Sequence, residues 1–175
     1  TLSVIHAAVR GEHVASVTAL AAPIGFHDDG LLSKWARTDA FNLAAFGDAW
    51  GNAPAWLLQA AFQMLRPTMP LHKLVTLLDK ADREEFLEGF LALETWGQDN
   101  IPLPGACFRQ YIEELYRKDG LLNETFTLSG HPVRLSNITC PTLAVTFEHD
   151  NIVPHRSASV LMERIGSTDK ELIHL

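Results

Sequence analysis

One stretch limits the folds open to this chain more than any other: Ile138-Thr-Cys-Pro-Thr-Leu-Ala-Val-Thr-Phe-Glu-His-Asp-Asn-Ile-Val-Pro154. Cys140-Pro141 opens it, and a proline drives the residue before it into extended backbone. The run Thr142 to Phe147 is apolar, rich in strand formers and too short for a helix. A polar break from Glu148 to Asn151 follows, and Ile152-Val153-Pro154 folds the chain back. The pattern predicts a buried parallel strand with a carboxylate, Asp150, at its C-terminal lip. Open α/β sheets place their chemistry at that lip. On these residues two roles stay open for Asp150: it is the acid of a catalytic triad, or it caps the helix after Pro154 or solvates a loop.

The flanks extend the α/β pattern. Leu2, Ile5, Ala8 and Val9 fall on one face of a predicted first helix, which Gly11 stops. His13 to Ile24 reads as a buried strand ended by Pro23 and Gly25. After Pro154, Ser157 to Ile165 reads as a helix stopped at Gly166, and Lys170 to Leu175 begins a last strand. Helix followed by buried strand is half of a right-handed βαβ crossover.

Between these ends the character changes. Helices are predicted over 31–37, 41–50, 54–66, 71–80, 82–96 and 106–117. Pro54 sits near the first turn of one of them. Trp56, Leu57, Ala60, Ala61, Met64 and Leu65 then recur at helical spacing. Asp82 and Glu85 stand at capping-box spacing before Phe86, Leu87, Phe90 and Leu93, which are expected to face inward. Gly97 to Gly105 is a proline-stiffened loop, and 126–135 suggests a small hairpin. The layout is core at 1–25, a helical insertion at 26–137 and core again at 138–175. An insertion between parallel strands of one sheet is expected to cap the strand ends, covering a pocket for an apolar substrate and excluding water. For each of Trp35, Trp50, Trp56 and Trp96, a place in the insertion's own core is the favoured expectation.

Composition excludes several classes. The chain has 175 residues, enough for one domain, with a formal net charge of -7 and no basic cluster. Nucleic acid as a partner is therefore not expected, because phosphates demand concentrated Lys and Arg. No apolar run reaches bilayer-spanning length, and no segment reads as a signal peptide. The eight histidines are scattered and the two cysteines, Cys107 and Cys140, have no ligand spacing, so no metal site is expected. Both thiols are expected buried and free, which suits a reducing cytoplasm. Thr1 is not a methionine, and the opening residues read as the middle of a fold, so the chain is expected to be a fragment.

The segment Glu94-Thr-Trp-Gly-Gln-Asp-Asn-Ile-Pro-Leu-Pro-Gly105, with Phe108-Arg-Gln-Tyr-Ile112 and Leu115-Tyr116 after it, resembles the polyhydroxyalkanoate synthases. Leu128-Ser-Gly-His-Pro-Val-Arg-Leu135 is similar to a short Gly-x-x-Val-x-Leu element of that family, and Ile138 to Pro141 with Asp150 to Pro154 is similar to its acid-bearing loop. Gly51-Asn-Ala-Pro54 and Phe62 to Pro67 look like its cap. The likeness covers nearly the whole chain with its motifs in order.

The resemblance implies an α/β fold: a partial α/β-hydrolase parallel sheet with a large helical cap insertion. It implies an acyltransferase joining 3-hydroxyacyl groups from coenzyme A thioesters into polyester, with no cofactor beyond the coenzyme A of its substrate. The family works by a Cys-His-Asp triad, in chain order nucleophile, acid, histidine. Asp150 matches the acid. The nucleophile elbow is expected just before Thr1 and the histidine a few residues beyond Leu175, since His174 falls inside the last strand. The 175 residues alone are then expected to be inactive. Trp96, Asp99 and Asn100 match the cap loop, where two roles stay open for them, lining a substrate channel or fixing the loop itself; Asn151 is a further candidate for the channel. Asn151 departs from the family, where a histidine often follows the acid. The implied setting is the cytoplasm or the surface of polyester granules, with a homodimer or a second synthase subunit as partner. An esterase or intracellular depolymerase on the same sheet, marked by a serine elbow, is the alternative. A non-catalytic member binding a partner or a granule is the third reading.

Overall fold

The computed structural model describes residues 1–175. The chain runs through α1 (Leu2–Val9), β1 (Val17–Leu20), α2 (Leu31–Arg37), α3 (Leu43–Trp50), α4 (Ala55–Leu65), α5 (Met69–Asp79), α6 (Glu84–Gln98) and α7 (Gly105–Gln110). A two-stranded hairpin, β2 (Thr127–Leu128) and β3 (His131–Pro132), comes next. The chain ends with β4 (Thr142–Thr146), α8 (His155–Ser159), α9 (Leu161–Arg164) and β5 (Lys170–His174). It divides into two compact units, Thr1–Asn42 with Arg109–Leu175, and Leu43–Phe108.

The first unit holds a parallel sheet in the order β1-β4-β5. The strand expected after Cys140-Pro141 is β4, and it lies in the centre. Pro141 accepts a hydrogen bond from Val17 at 2.9 Å, which starts the pairing with β1. Register places Ala19 opposite Ala144 and Ala144 opposite Leu172. Side chains alternate faces along a strand. Thr142, Ala144 and Thr146 are accordingly buried on one face, with Val17 and Ala19 beside them. β1 differs from expectation. It is four residues long rather than running from His13 to Ile24, and Thr18 and Leu20 are exposed. A 3₁₀ turn occupies Gly11–His13 instead. Burial alternates along β1, Val17 and Ala19 in and Thr18 and Leu20 out, because one of its faces is covered.

Helix α1 packs on β1 and on a 3₁₀ turn at Leu135–Asn137. Its buried residues are Val4, Ile5, Ala7 and Ala8, while Leu2 is 75% exposed, so its inward face is rotated from the expected one. Asn137 Nδ2 donates to the Ala8 carbonyl at 3.3 Å, which fixes that orientation. The helix expected from Ser157 to Ile165 is two short pieces, α8 and α9, meeting at Val160.

Residues 26–42 are tied into this unit by residues 109–126. Phe26 is buried and meets the edges of Tyr111 and Tyr116 at 6.0 and 4.8 Å. Its amide donates to the buried Asp119 carboxylate at 2.9 Å. The Arg117 guanidinium donates to the Phe41 carbonyl at 2.6 Å and the Ala36 carbonyl at 3.3 Å. The helix expected over 106–117 is α-helical only through Gln110; Tyr111–Arg117 is a wider π turn. Lys118 N bonds Glu113 O, five residues back, and Gly120 N bonds Glu114 O. A Cβ on Gly120 would stand 2.6 Å from that Glu114 oxygen, so only glycine closes the turn this tightly. Burial, and then the neighbouring Tyr111, hold the Tyr116 phenol well above the usual tyrosine range.

The second unit is helical. Its buried side chains are few: Leu43, Ala53 and Phe108. Helices α4, α5 and α6 contain no buried residue. The expected capping box does not form: Arg83, with extended backbone, is the cap residue of α6, and no side chain caps it. The helix begins at Glu84, two residues past Asp82, so Asp82 is one position too early to cap it. Lys73 joins α5 to α6 through Glu94 at 2.5 Å. No helix in the chain is long and apolar enough to cross a membrane.

Candidate active site

Asp150 stands four residues past the end of β4, at the C-terminal edge of the parallel sheet. It is half-buried. One carboxylate oxygen, Oδ1, accepts the amides of Ile152 at 2.8 Å and Val153 at 2.9 Å. Such local bonds are what a short acidic side chain makes in a turn. They pin the carboxylate through a single oxygen, and Oδ2 makes no hydrogen bond within the chain. The helix that follows is not capped by Asp150: Pro154 is the cap residue of α8 and no side-chain bond closes it. Of the roles open from sequence, capping of α8 is therefore not made, and the carboxylate is bonded to the backbone of its own loop.

Asn151 is exposed and donates to the His149 carbonyl at 3.3 Å. Val153 is buried and anchors the far side of the turn. Ser157 on α8 is also buried, donating to the Gly25 carbonyl at 2.5 Å, while its own carbonyl accepts the amides of Ile24 and Gly25. The chain leaving β1 is thereby fastened to the helix that follows the acid loop.

Neither cysteine belongs to the acid loop. Cys140 precedes β4, at the opposite end of a strand whose five residues span roughly 16 Å at about 3.3 Å each. Cys107 lies in α7 and is exposed, against the expectation that both thiols are buried. No group of three His, Cys, Asp or Glu side chains is arranged to hold a metal ion.

The other candidates lie in the helical unit. Trp96 is 78% exposed, and Asp99 and Asn100 are exposed. Asn100 donates to Gln59 and, at 3.0 Å, to the Gly97 carbonyl, so it holds the loop leaving α6. That loop meets a distant segment. Ala53 and Leu103 exchange two backbone hydrogen bonds, at 2.9 and 3.0 Å. Asn52 Oδ1 accepts the Gly105 amide at 3.0 Å. Gly51-Asn-Ala-Pro54 and Pro102-Leu-Pro-Gly105, far apart in sequence, thus form one joint. Trp50 and Trp56 flank it, edge to face at 5.6 Å. Both are more than half exposed, so the expectation that these aromatics build the insertion's own core fails for them and for Trp96. Leu93, expected inward, is 68% exposed.

Sequence comparison decides what the chain is akin to. It is 30% identical over 175 residues to Poly(3-hydroxyalkanoate) polymerase subunit PhaC of Haloferax mediterranei, covering 99% of the chain and 36% of that protein. It is 32% identical over 169 residues to the PhaC subunit of Allochromatium vinosum, covering 95% and 47%. This chain is a relative of the poly(3-hydroxyalkanoate) polymerase PhaC subunits. The PhaC subunit of Cupriavidus necator is 31% identical over 164 residues, 86% of this chain and 26% of that protein. The chain thus spans between about a quarter and a half of the length of these PhaC relatives. No protein-family model matches it. Among solved structures, an alpha/beta hydrolase fold protein from Nakamurella multipartita aligns with 99% of this chain and 56% of its own, at 19% identity and a TM-score of 0.45. The PhaC likeness runs through both the acid loop and the joint in the helical unit.

A cluster that sequence reading missed lies beside the acid loop. The Thr146 hydroxyl is 2.8 Å from His155 Nδ1 and 3.0 Å from His174 Nδ1. The two histidines are far apart in sequence and share no motif spacing. Only the register pairing Thr146 with His174 brings them together.

Proposed function

We propose that the protein to which this chain belongs is a polyhydroxyalkanoate synthase-type acyltransferase, in which Asp150 is the acid of a Cys-His-Asp triad. A cysteine thiolate attacks the carbonyl of a 3-hydroxyacyl coenzyme A thioester, and the C–S bond to coenzyme A breaks as its thiol departs with a proton. Thiolate attack and thiolate departure are closely matched, which suits a cysteine nucleophile to thioester exchange. A histidine takes the cysteine proton, and later the proton of the 3-hydroxyl group that attacks the acyl-enzyme and extends the polyester. Asp150 orients that histidine and stabilises its cation. Cys107 and Cys140 are unsuited as nucleophiles by position, so both nucleophile and histidine are assigned to parts of the protein outside these 175 residues. The substrates are the coenzyme A thioester and the growing polyester, handled in the cytoplasm or at a granule surface.

The observation that carries the reading is the Asp150 carboxylate at the C-terminal edge of the sheet, pinned through Oδ1 with Oδ2 unpartnered, in a relative of PhaC polymerases. In the whole protein, Asp150→Asn is expected to slow coenzyme A release from a 3-hydroxyacyl thioester by a factor on the order of 10² to 10⁴. The far-ultraviolet circular dichroism should not change. Turnover at the unmutated rate would remove Asp150 from the mechanism. Hydrolysis to free 3-hydroxy acid with no polymer formed would favour the esterase or depolymerase reading. A second feature bears on partners. Leu71, Leu78, Leu93 and Trp96 of the helical unit are each at least 66% exposed. Exposed apolar residues mark an association surface where they form one contiguous patch, and a homodimer or a second synthase subunit would cover them, checked by light scattering of the whole protein.

A further inference from the structure

Strand β4 ends at Thr146, which is 1% exposed, and helix resumes at His155. Between them, residues 147–154 form the loop that carries Asp150. Most of that loop is exposed; Val153 is its one buried residue. Two kinds of bond close its base. The backbone of Leu175 bridges from the neighbouring strand, donating to Thr146 O at 2.9 Å and accepting from Glu148 N at 2.7 Å. The Thr146 hydroxyl then links both ends of the loop to β5, meeting His155 Nδ1 at 2.8 Å, His174 Nδ1 at 3.0 Å and the Ile173 carbonyl at 3.4 Å. The two imidazoles lie with ring centroids 4.2 Å apart and planes at 60°.

A hydroxyl has one proton to give and two lone pairs to receive. It can therefore meet both Nδ1 atoms at once, giving its proton to one of them or to the Ile173 carbonyl. Both Nδ1 atoms are occupied in this way, and no third ligand stands nearby to make a metal site. What the arrangement can do is mechanical: it fastens the first residue of α8 and the last residue of β5 to one buried point at the root of the acid loop.

We infer that Thr146, His155 and His174 form a clasp that positions the 147–154 loop and so sets where the Asp150 carboxylate stands. These are positioning residues, acting through Asp150, and the inference rests on the acyltransferase reading above. Thr146→Val keeps the shape of the side chain and removes the hydroxyl. His155→Phe keeps a ring and removes the nitrogen. Thr146→Ser keeps the hydroxyl.

The test uses the whole protein and two readouts. In Thr146→Val and in His155→Phe, kcat for coenzyme A release is expected to fall about tenfold, with KM within about twofold. The amides of Ile152 and Val153, which hold Asp150 Oδ1, are expected to exchange with deuterium about tenfold faster. The Ala21 amide, bonded to Val145 O in the sheet, should exchange as before, which shows the fold intact. Thr146→Ser is expected to restore both kcat and exchange to within about twofold. Unchanged exchange in both variants overturns the clasp whatever turnover does, and faster exchange with unchanged kcat overturns its positioning role. Asp150→Asn at the unmutated rate overturns instead the reading on which the inference rests, and the exchange arm separates the two.

Discussion

The two units of this chain use apolar residues in opposite ways. In the sheet unit, Phe26, Leu115, Leu121, Ile138 and Leu161 are each at most 2% exposed, and polar atoms among them are bonded. In the helical unit, α4, α5 and α6 carry as many large apolar side chains, yet none is buried. The first arrangement derives its stability from surface removed from water. The second is joined by bridges between segments, such as Ala53 with Leu103 and Lys73 with Glu94, while the large apolar side chains of these three helices stay at least partly exposed. The lesson is that helical periodicity in a sequence identifies an apolar face without saying what covers it.

That contrast can be broken by substitution. Leu161→Ala, at a 1% exposed site, is expected to destabilise the sheet unit by about 2–5 kcal/mol in urea unfolding. A loss under about 1 kcal/mol would mean that the sheet core is looser than its burial implies. Gly105→Ala probes the helical unit's bridges, because an added Cβ would lie 1.7 Å from the Gly51 carbonyl oxygen. Its expected cost is about 1–3 kcal/mol, seen as earlier unfolding of residues 43–108 by hydrogen exchange, with β4 amides unaffected.

A pH scan sharpens the picture of the sheet unit. The folded Tyr116 phenol holds its proton more tightly than the unfolded one, so it contributes stability that is fully present below pH 10, the ordinary tyrosine value. That stability is lost as pH rises above 10, because the unfolded state ionises first. Tyr116→Phe should flatten this part of the stability curve, and an unchanged slope would place the titration elsewhere. The smallest effect is expected at Leu78, 72% exposed. Leu78→Ala should change stability by less than about 0.5 kcal/mol, in contrast to the same truncation at Leu161. A loss of several kcal/mol would show that the helical face is already covered.

Much of the fold was legible along the chain, because its signals are local. Cys140-Pro141, the short apolar run and the polar break specify β4 and the place of Asp150 without any distant contact. The helices of the insertion declare themselves by spacing and by Pro54, Pro67 and Gly105. Local signals failed where neighbours decide. The capping box at Asp82 lost to an extended Arg83, and the helix through Tyr116 widened into a π turn because the chain is drawn back to Phe26 through Asp119.

By itself, then, the sequence determined the order of strand and helix, the carboxylate at the end of the central strand and the likeness to PhaC polymerases, all properties of residues read in line. Only the tertiary structure decided which apolar faces are covered, that Gly51-Asn52-Ala53 meets Leu103-Pro104-Gly105, and that Thr146 gathers His155 and His174. Each of these depends on strand register or on contacts between residues distant in the chain, and the period of a sequence carries neither.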